Sequence, residues 1–352
     1  MDTISHGLAG SMLTRAFAER PGARAAFVLG LLAGMLPDID FIFFSDRLQY
    51  LRDHRGWTHS FLLMPFLALL LALAARLLFR QARLRTLWLF AAIGIVTHIL
   101  FDWITSFGTM FWTPLSRTRY SLDWVFILDP IFTGIAFTSV FAALLFRAKG
   151  RLVAAAGSSL LILYIGFCGA LHARALETWK RIDRPTPGAK VAVLPQFLSP
   201  FRWLGLSEGR EEIHVAFFDI GPFARGTGDP LPPRRWSEVL QSLSDYYPPP
   251  EGARIQRFAK PSDSPVLEAA RALPDVGIYR AFARFPLETV YPQGDGGATV
   301  IVQDLRFLPW FTGPWGPGVN GAFRRQPFVY RVRFDGALRA IERGFVPGGR
   351  LR

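Results

Sequence analysis

The stretch 152-LVAAAGSSLLILYIGFCGAL-171 carries no charged residue. A helix needs about 20 mostly apolar residues to cross the hydrocarbon core of a bilayer, so this run alone predicts a transmembrane segment. Five further runs precede it, over 4–18, 25–44, 60–79, 86–106 and 127–147, with the last completed as 152–173. The second is apolar only as far as Pro37. The first, carrying 5-SHGLAGSMLTRAFAE-19, is short and suits partial insertion or an interfacial position. Together the runs predict an α-helical membrane bundle of about six helices, rather than a soluble all-α protein. Composition agrees: 51% of the 352 residues are hydrophobic, 14% are aromatic and the mean hydropathy is +0.24.

The formal net charge is +13, mostly from arginine, and its placement is informative. Arg15, Arg20 and Arg24 face a single Glu19 between runs one and two. Arg76, Arg80, Arg83 and Arg85 lie between runs three and four, and Arg147, Lys149 and Arg151 between five and six. The excess of cations in alternate short loops marks the cytoplasmic side. Loops 45–59 and 107–126 then face outward, and six spans put both termini outside. No Lys/Arg block is interleaved with aromatics, which argues against a nucleic-acid surface. The single Cys168 excludes an intrachain disulfide and a Cys-rich zinc site. The opening MDTISHGLAG lacks a basic n-region and does not read as a cleaved signal peptide.

Residues 1–178 are therefore assigned to the bundle and 179–190, containing 180-KRIDRPTPGAK-190, to a linker. Residues 191–352 are read as a soluble β-rich or α+β domain outside the membrane. Alternation in 213-IHVAFF-218, 299-TVIVQDLRF-307 and 328-FVYRVRF-334 predicts strands, and 236-WSEVLQSLSDYY-247 and 265-PVLEAARAL-273 predict helices.

Polar residues crowd the edges of the apolar runs. His6 opens the first; Asp38 and Asp40 end the second; Asp53, His54, Arg55 and His59 precede the third. His98 and Asp102 lie in the fourth, and Asp123 and Asp129 flank the start of the fifth. The topology places all of them at the outer face, although none of them was used to derive it. Charges at membrane depth are expensive unless paired or liganded. His98 and Asp102, four apart, share a helix face and could bind one metal. Imidazole and carboxylate without thiolate suit zinc, manganese or iron. Blander readings stand beside this one. A His–Asp pair four apart is often a plain hydrogen bond, Arg55 could lie at headgroup level, and Asp129 before Pro130 fits a helix N-cap. His172 and His214 are left outside the site.

The order 2-DTISHGLAG-10, 36-LPDID-40, 54-HRGWTHS-60, 98-HILFDWITSFGT-109 and 123-DWVFILDP-130 resembles the YdjM-like inner-membrane metal-dependent hydrolases, over about residues 1–175. The resemblance implies a bacterial inner-membrane hydrolase. Such proteins have a suggested fold-level similarity to zinc-dependent phospholipase C and P1 nuclease, which implies two or three zinc ions and phosphoester substrates. The chain lacks the amino-terminal Trp ligand and the extra His-rich helix of the phospholipase pattern, so a three-metal site does not carry over.

Two readings follow. In the first, His6, Asp40, His54, His59, His98 and Asp102 supply metal ligands, zinc foremost and manganese next. Asp38 or Asp129 is a general base, and Arg55 binds a phosphate or carboxylate oxygen. A site at headgroup depth favours a lipid or lipid-linked phosphoester. In the second, the protein is non-catalytic, with a structural metal site and an outer domain that binds a partner. Ion conduction is disfavoured because the inner halves of runs three to five are almost wholly apolar.

Overall fold

The computed structural model describes residues 1–19, 22–222, 224, 246–308 and 327–346. These form two compact units. The first comprises Met1–Phe44, Asp53–Ala173 and Phe197–Pro200, and the second Ser45–Arg52, Arg174–Gln196 and Phe201–Arg352.

The first unit is helical: α1 (Thr3–Phe17), α2 (Ala23–Met35), a 3-10 segment (Leu36–Phe43), α4 (Met64–Ala75), α5 (Leu84–Trp103), α6 (Pro130–Leu145) and most of α7 (Gly150–Asp183), while the short α3 (Arg47–Asp53) falls almost wholly in the second unit. The expectation of six spans is too high. Three stretches, Ala23–Phe43, Leu84–Trp103 and Gly150–Asp183, are long and apolar enough to cross a membrane, or four if the bent pair Arg47–His59 and Met64–Ala75 is one span. The run read as 60–79 is continuous in hydropathy but not in helix. Its first residues form turns and α4 keeps only 12 residues, about 18 Å of rise against a hydrocarbon core of about 30 Å. At 16 residues α6 is also short. A hydropathy window counts apolar residues and is blind to where hydrogen-bonded turns replace helix.

Small residues let α1 lie tightly on α2. A Cβ at Gly34 would come within 2.5 Å of the His6 carbonyl oxygen, and one at Gly10 within 2.4 Å of the Gly30 carbonyl oxygen. The Thr14 hydroxyl donates to the Ala26 carbonyl at 2.8 Å. Close backbone approach through glycine is a common way to associate helices in lipid. Here it buries His6 on a helix too short and too polar to span unaided. Asp129 is the N-cap of α6, accepting from the Ile131 and Phe132 amides at 2.9 Å each, and its other oxygen accepts from the Tyr164 hydroxyl at 2.7 Å.

The second unit holds two four-stranded sheets, ordered β1-β2-β3-β4 and β5-β6-β7-β8. The strands are β1 Lys190–Gln196, β2 Ser199–Glu208, β3 Glu212–Asp219, β4 Gln256–Ala259, β5 Pro286–Pro292, β6 Ala298–Asp304, β7 Val329–Phe334 and β8 Ala340–Phe345. Pairing is antiparallel, as in Leu204↔Phe217 and Val300↔Val332. The short helices α8 (Pro265–Arg271) and α9 (Pro274–Phe282) precede the second sheet. The expected α+β class, the three strands and the helix at 265 are present. The helix expected over 236–247 lies almost wholly outside the described residues.

The last turns of α7 belong to this unit. Trp179 is fully buried, stacks on Phe218 and donates from Nε1 to Ser207 Oγ at 2.9 Å. Nearby, His214 on β3 is held between two carboxylates, Asp183 Oδ1 at 2.6 Å and Glu212 Oε1 at 2.7 Å. Burial opposes protonation, but the hydrogen bonds to Glu212 and Asp183 outweigh it and raise the imidazole pKa. The stabilisation from this raised pKa is complete below the unfolded value of about 6.5 and is lost as pH rises through the folded value. His214→Gln should therefore lower the unfolding temperature of the full chain near pH ~6 and lower it less near pH ~9. A wild-type-to-variant gap equal at both ends would contradict the assignment.

Candidate metal centre

The centre is built where several helix ends meet. His6 lies one turn into α1, and His98 and Asp102 lie on one face of the last two turns of α5. Asp38 and Asp40 lie on the 3-10 segment that follows α2 through Pro37. Two residues apart on an α-helix diverge by about 200°, but on a 3-10 helix by about 240°, which is 120° the other way. That geometry lets both aspartates turn inward towards different partners, and both are buried.

The loop 53–60 supplies the rest. Arg55 takes a left-handed backbone, φ 61°, a conformation that costs a non-glycine residue about 1–2 kcal/mol. It turns the side chain inward, where it is 2% exposed. Its guanidinium binds Asp102 Oδ1 at 2.8 Å and Thr105 Oγ1 at 2.9 Å. His59, fully buried, follows on a single 3-10 turn (Trp57–His59).

Four donor atoms converge. His59 Nε2 lies 3.0 Å from His98 Nε2 and 3.1 Å from Asp102 Oδ2, and His98 Nε2 lies 3.4 Å from both Asp102 Oδ2 and Asp38 Oδ1. His59 Nε2 is 3.8 Å from Asp38 Oδ1, and all four atoms fall within 4.8 Å of one another. Ligands about 2.0–2.1 Å from a tetrahedral zinc stand about 3.3 Å apart, so these spacings suit one such ion.

The hydrogen bonds behind the donors fix their tautomers. The Gly34 carbonyl can only accept, so His98 Nδ1, 2.6 Å away, carries a proton. The Thr58 hydroxyl donates to Asp40 Oδ2 at 3.3 Å and so accepts from His59 Nδ1 at 2.9 Å. While both rings are neutral, their Nε2 atoms present lone pairs to each other at 3.0 Å. Asp102 Oδ2 is buried with no hydrogen-bond donor. Two facing nitrogens and an unsatisfied carboxylate oxygen, all buried, need either a proton on one imidazole or a metal ion between them. The donor set therefore fits a bound divalent metal, with the Gly34 and Thr58 bonds orienting the ligating rings as outer partners do in metal sites.

The remaining site residues form a surrounding layer. Asp102 Oδ1 receives His6 Nε2 at 3.1 Å, Arg55 at 2.8 Å and the amino group of Met1 at 2.5 Å. His6 also stacks on His98 with ring centres 3.7 Å apart. Asp40 accepts from His54 Nδ1 at 2.9 Å and from the Arg55 amide at 3.3 Å. Of the residues expected to ligate, His59, His98 and Asp102 thus enter the four-donor group, while His6, Asp40 and His54 lie around it. Asp38, expected as a base, stands inside it. Arg55, expected to meet a substrate oxygen, is engaged with Asp102. Asp129 is the helix cap described above. The Met1 amine was not foreseen, because nothing in residue type or spacing signals that a backbone amine is buried beside an aspartate.

A helical membrane protein with a buried His/Asp group able to hold a metal ion, followed by a domain of two antiparallel sheets, is the class these features define. Residues 1–175 match the model of the YdjM inner membrane protein family, and this amino-terminal part belongs to that family. It is 28% identical over 175 residues to the uncharacterized protein YfhP of Bacillus subtilis (strain 168), covering 47% of this chain and 52% of that protein. It is 33% identical over 100 residues to the inner membrane protein YbcI of Escherichia coli (strain K12), covering 27% of this chain and 57% of that protein. The chain thus matches little more than half the length of these curated relatives. No solved structure matches, and the further likeness to phospholipase C and P1 nuclease finds no support in these comparisons.

Proposed function

We propose that the protein is an inner-membrane, metal-dependent hydrolase that cleaves a phosphoester or lipid-linked substrate at the periplasmic face. The observation that carries this reading is the convergence of His59 Nε2, His98 Nε2 and the donor-less Asp102 Oδ2, with Asp38 Oδ1 beside them. His59, His98 and Asp102 would hold the ion, zinc by donor type with manganese as the next choice. A divalent ion there supplies Lewis acidity and makes water a usable nucleophile near neutral pH. Asp38 is the most exposed of the four, its side chain 11% accessible against 0% for the other three. It stands at the open side of the group, anchored through Oδ2 by the Thr3 hydroxyl at 2.8 Å. There it takes the proton from the attacking water. Arg55 and His6 hold Asp102 in place and balance its charge rather than binding substrate. Depth supports the substrate class, because the donors lie at helix ends. The basic loops around Arg15, Arg76–Arg85 and Arg147–Arg151 lie at the opposite helix ends, which supports the periplasmic side by the positive-inside rule.

A second reading is favoured by the donor count itself. Four protein ligands close a tetrahedral shell, as in structural sites. Asp38→Asn separates the two. The catalytic reading predicts that the variant keeps its metal while hydrolysis of bis(4-nitrophenyl) phosphate or a phospholipid falls about 10²–10⁴-fold. Loss of metal in Asp38→Asn, or a metal-loaded wild type inert to every phosphoester offered, would establish the structural reading instead.

A further inference from the structure

The second unit holds a cavity of about 800 Å³, within the range of about 300–1,000 Å³ usual for small-molecule sites. Its lining comes from the end of α7 and the loop after it (183–190), the β2–β3 turn (207–212), His214 and Lys260. Much of this wall is pinned in place. Lys260 Nζ donates to Glu208 Oε1 at 2.7 Å and to the Gly209 carbonyl at 2.9 Å. Lys190 Nζ donates to the Arg284 carbonyl and lies 4.9 Å from the Phe285 ring centre. His214 ties Asp183 to Glu212, and Trp179 holds Ser207. Three lining groups are left over. The Asp183 side chain is fully buried, and while its Oδ1 meets His214, its Oδ2 has no hydrogen-bond partner. Arg184 and Arg210 are exposed, and among the described residues neither guanidinium has an ion-pair partner. The one lining acid in the same state is the exposed Glu211, so the unpaired rim carries a net positive charge.

We propose that this cavity binds a small zwitterion carrying an ammonium and a phosphate, the ammonium donating to Asp183 Oδ2 and the phosphate held by Arg184 and Arg210. A buried carboxylate oxygen without a donor is costly, and one imidazole shared by two carboxylates cannot neutralise both. The deep end of the cavity therefore calls for a cationic donor. At the rim, a planar guanidinium matches phosphate oxygens in paired hydrogen bonds. A plain anion would leave Asp183 Oδ2 unsatisfied, and a plain amine would leave the two arginines without an anion. The apolar side chains of the lining are Pro185, Pro187 and Ala189, too few to seat an acyl chain, which favours the free ammonium–phosphate compound over the same group carried on a lipid. The site lies in the second unit alone and does not depend on the chemistry of the metal centre.

Isothermal titration calorimetry of the detergent-purified full chain tests this, with phosphoethanolamine, ethanolamine and inorganic phosphate as probes. The wild type should bind phosphoethanolamine roughly tenfold or more tightly than either half, the worth of one charge-assisted hydrogen bond. Asp183→Asn, which can present an amide donor where the ammonium must donate, should weaken binding by roughly the same factor, and so should Arg184→Gln/Arg210→Gln. Glycerophosphoethanolamine separates the two sources: weaker binding than the monoester supports the free compound, and equal or tighter binding supports the same site with a lipid headgroup in it. A wild type that binds no phosphoethanolamine, or binds inorganic phosphate equally well, would overturn the proposal. So would undiminished affinity in the variants, which would place the ligand elsewhere on the chain. Should Asp183→Asn fail to fold, the substitutions at the two exposed arginines decide the matter alone.

Discussion

Asp102→Ala is expected to release the metal and to destabilise the helical unit by about 3–5 kcal/mol, the range for leaving buried charges without their partner. Asp102 is fully buried and answers three groups through Oδ1: the Met1 amine, His6 and Arg55. Its Oδ2 faces His59 and His98. Alanine removes one metal ligand and at the same time strands the Met1 amine and the Arg55 guanidinium in the buried interior. The unfolding temperature in detergent should fall by roughly 10 °C, with metal lost in parallel. A variant that keeps its metal and its unfolding temperature would mean that Asp102 is neither a ligand nor the charge centre described here.

Arg55→Met comes next in expected effect. If Arg55 were a substrate-binding group at the membrane edge, its loss would raise KM and leave stability alone. The structure places it otherwise, 2% exposed and bound to Asp102 and Thr105, with its guanidinium 5.0 Å from the Phe107 ring centre. Methionine keeps much of the side-chain volume but leaves Asp102 with less compensating charge. The expected result is a loss of about 3–5 kcal/mol, together with weaker metal retention because Asp102 is no longer held. Wild-type stability with a raised KM for a phosphoester would return Arg55 to the substrate.

The contrast between Arg55 and Asp129 shows what the sequence could disclose. Asp129-Pro130 is a local signal: capping needs only neighbouring amides, so the cap is readable from two letters. Arg55 at the mouth of an apolar run reads equally well as a headgroup contact. Its inward direction depends on a left-handed φ at a non-glycine residue, which no spacing announces. Asp38 and Asp40 divide their roles for a similar reason. LPDID marks a break at Pro37, but the split depends on the 3-10 winding of Leu36–Phe43. The His98/Asp102 pair was legible because α-helical periodicity alone puts both on one face. The two-sheet domain was legible where strands alternate, as in β3, β6 and β7. The span count was not, because Ser60–Leu63 is as apolar as a helix start yet folds as turns.

The most direct test of the central claim is the metal content of the full chain, purified in detergent without chelators, beside Asp102→Ala. Elemental mass spectrometry should find about one equivalent of a divalent metal per chain in the wild type and none in the variant. X-ray absorption at the metal edge should read two imidazole nitrogens among the ligands. A wild type that carries no metal and takes up none from added zinc or manganese would contradict the account. The convergence of His59, His98, Asp38 and Asp102 would then be a hydrogen-bonded polar core and nothing more.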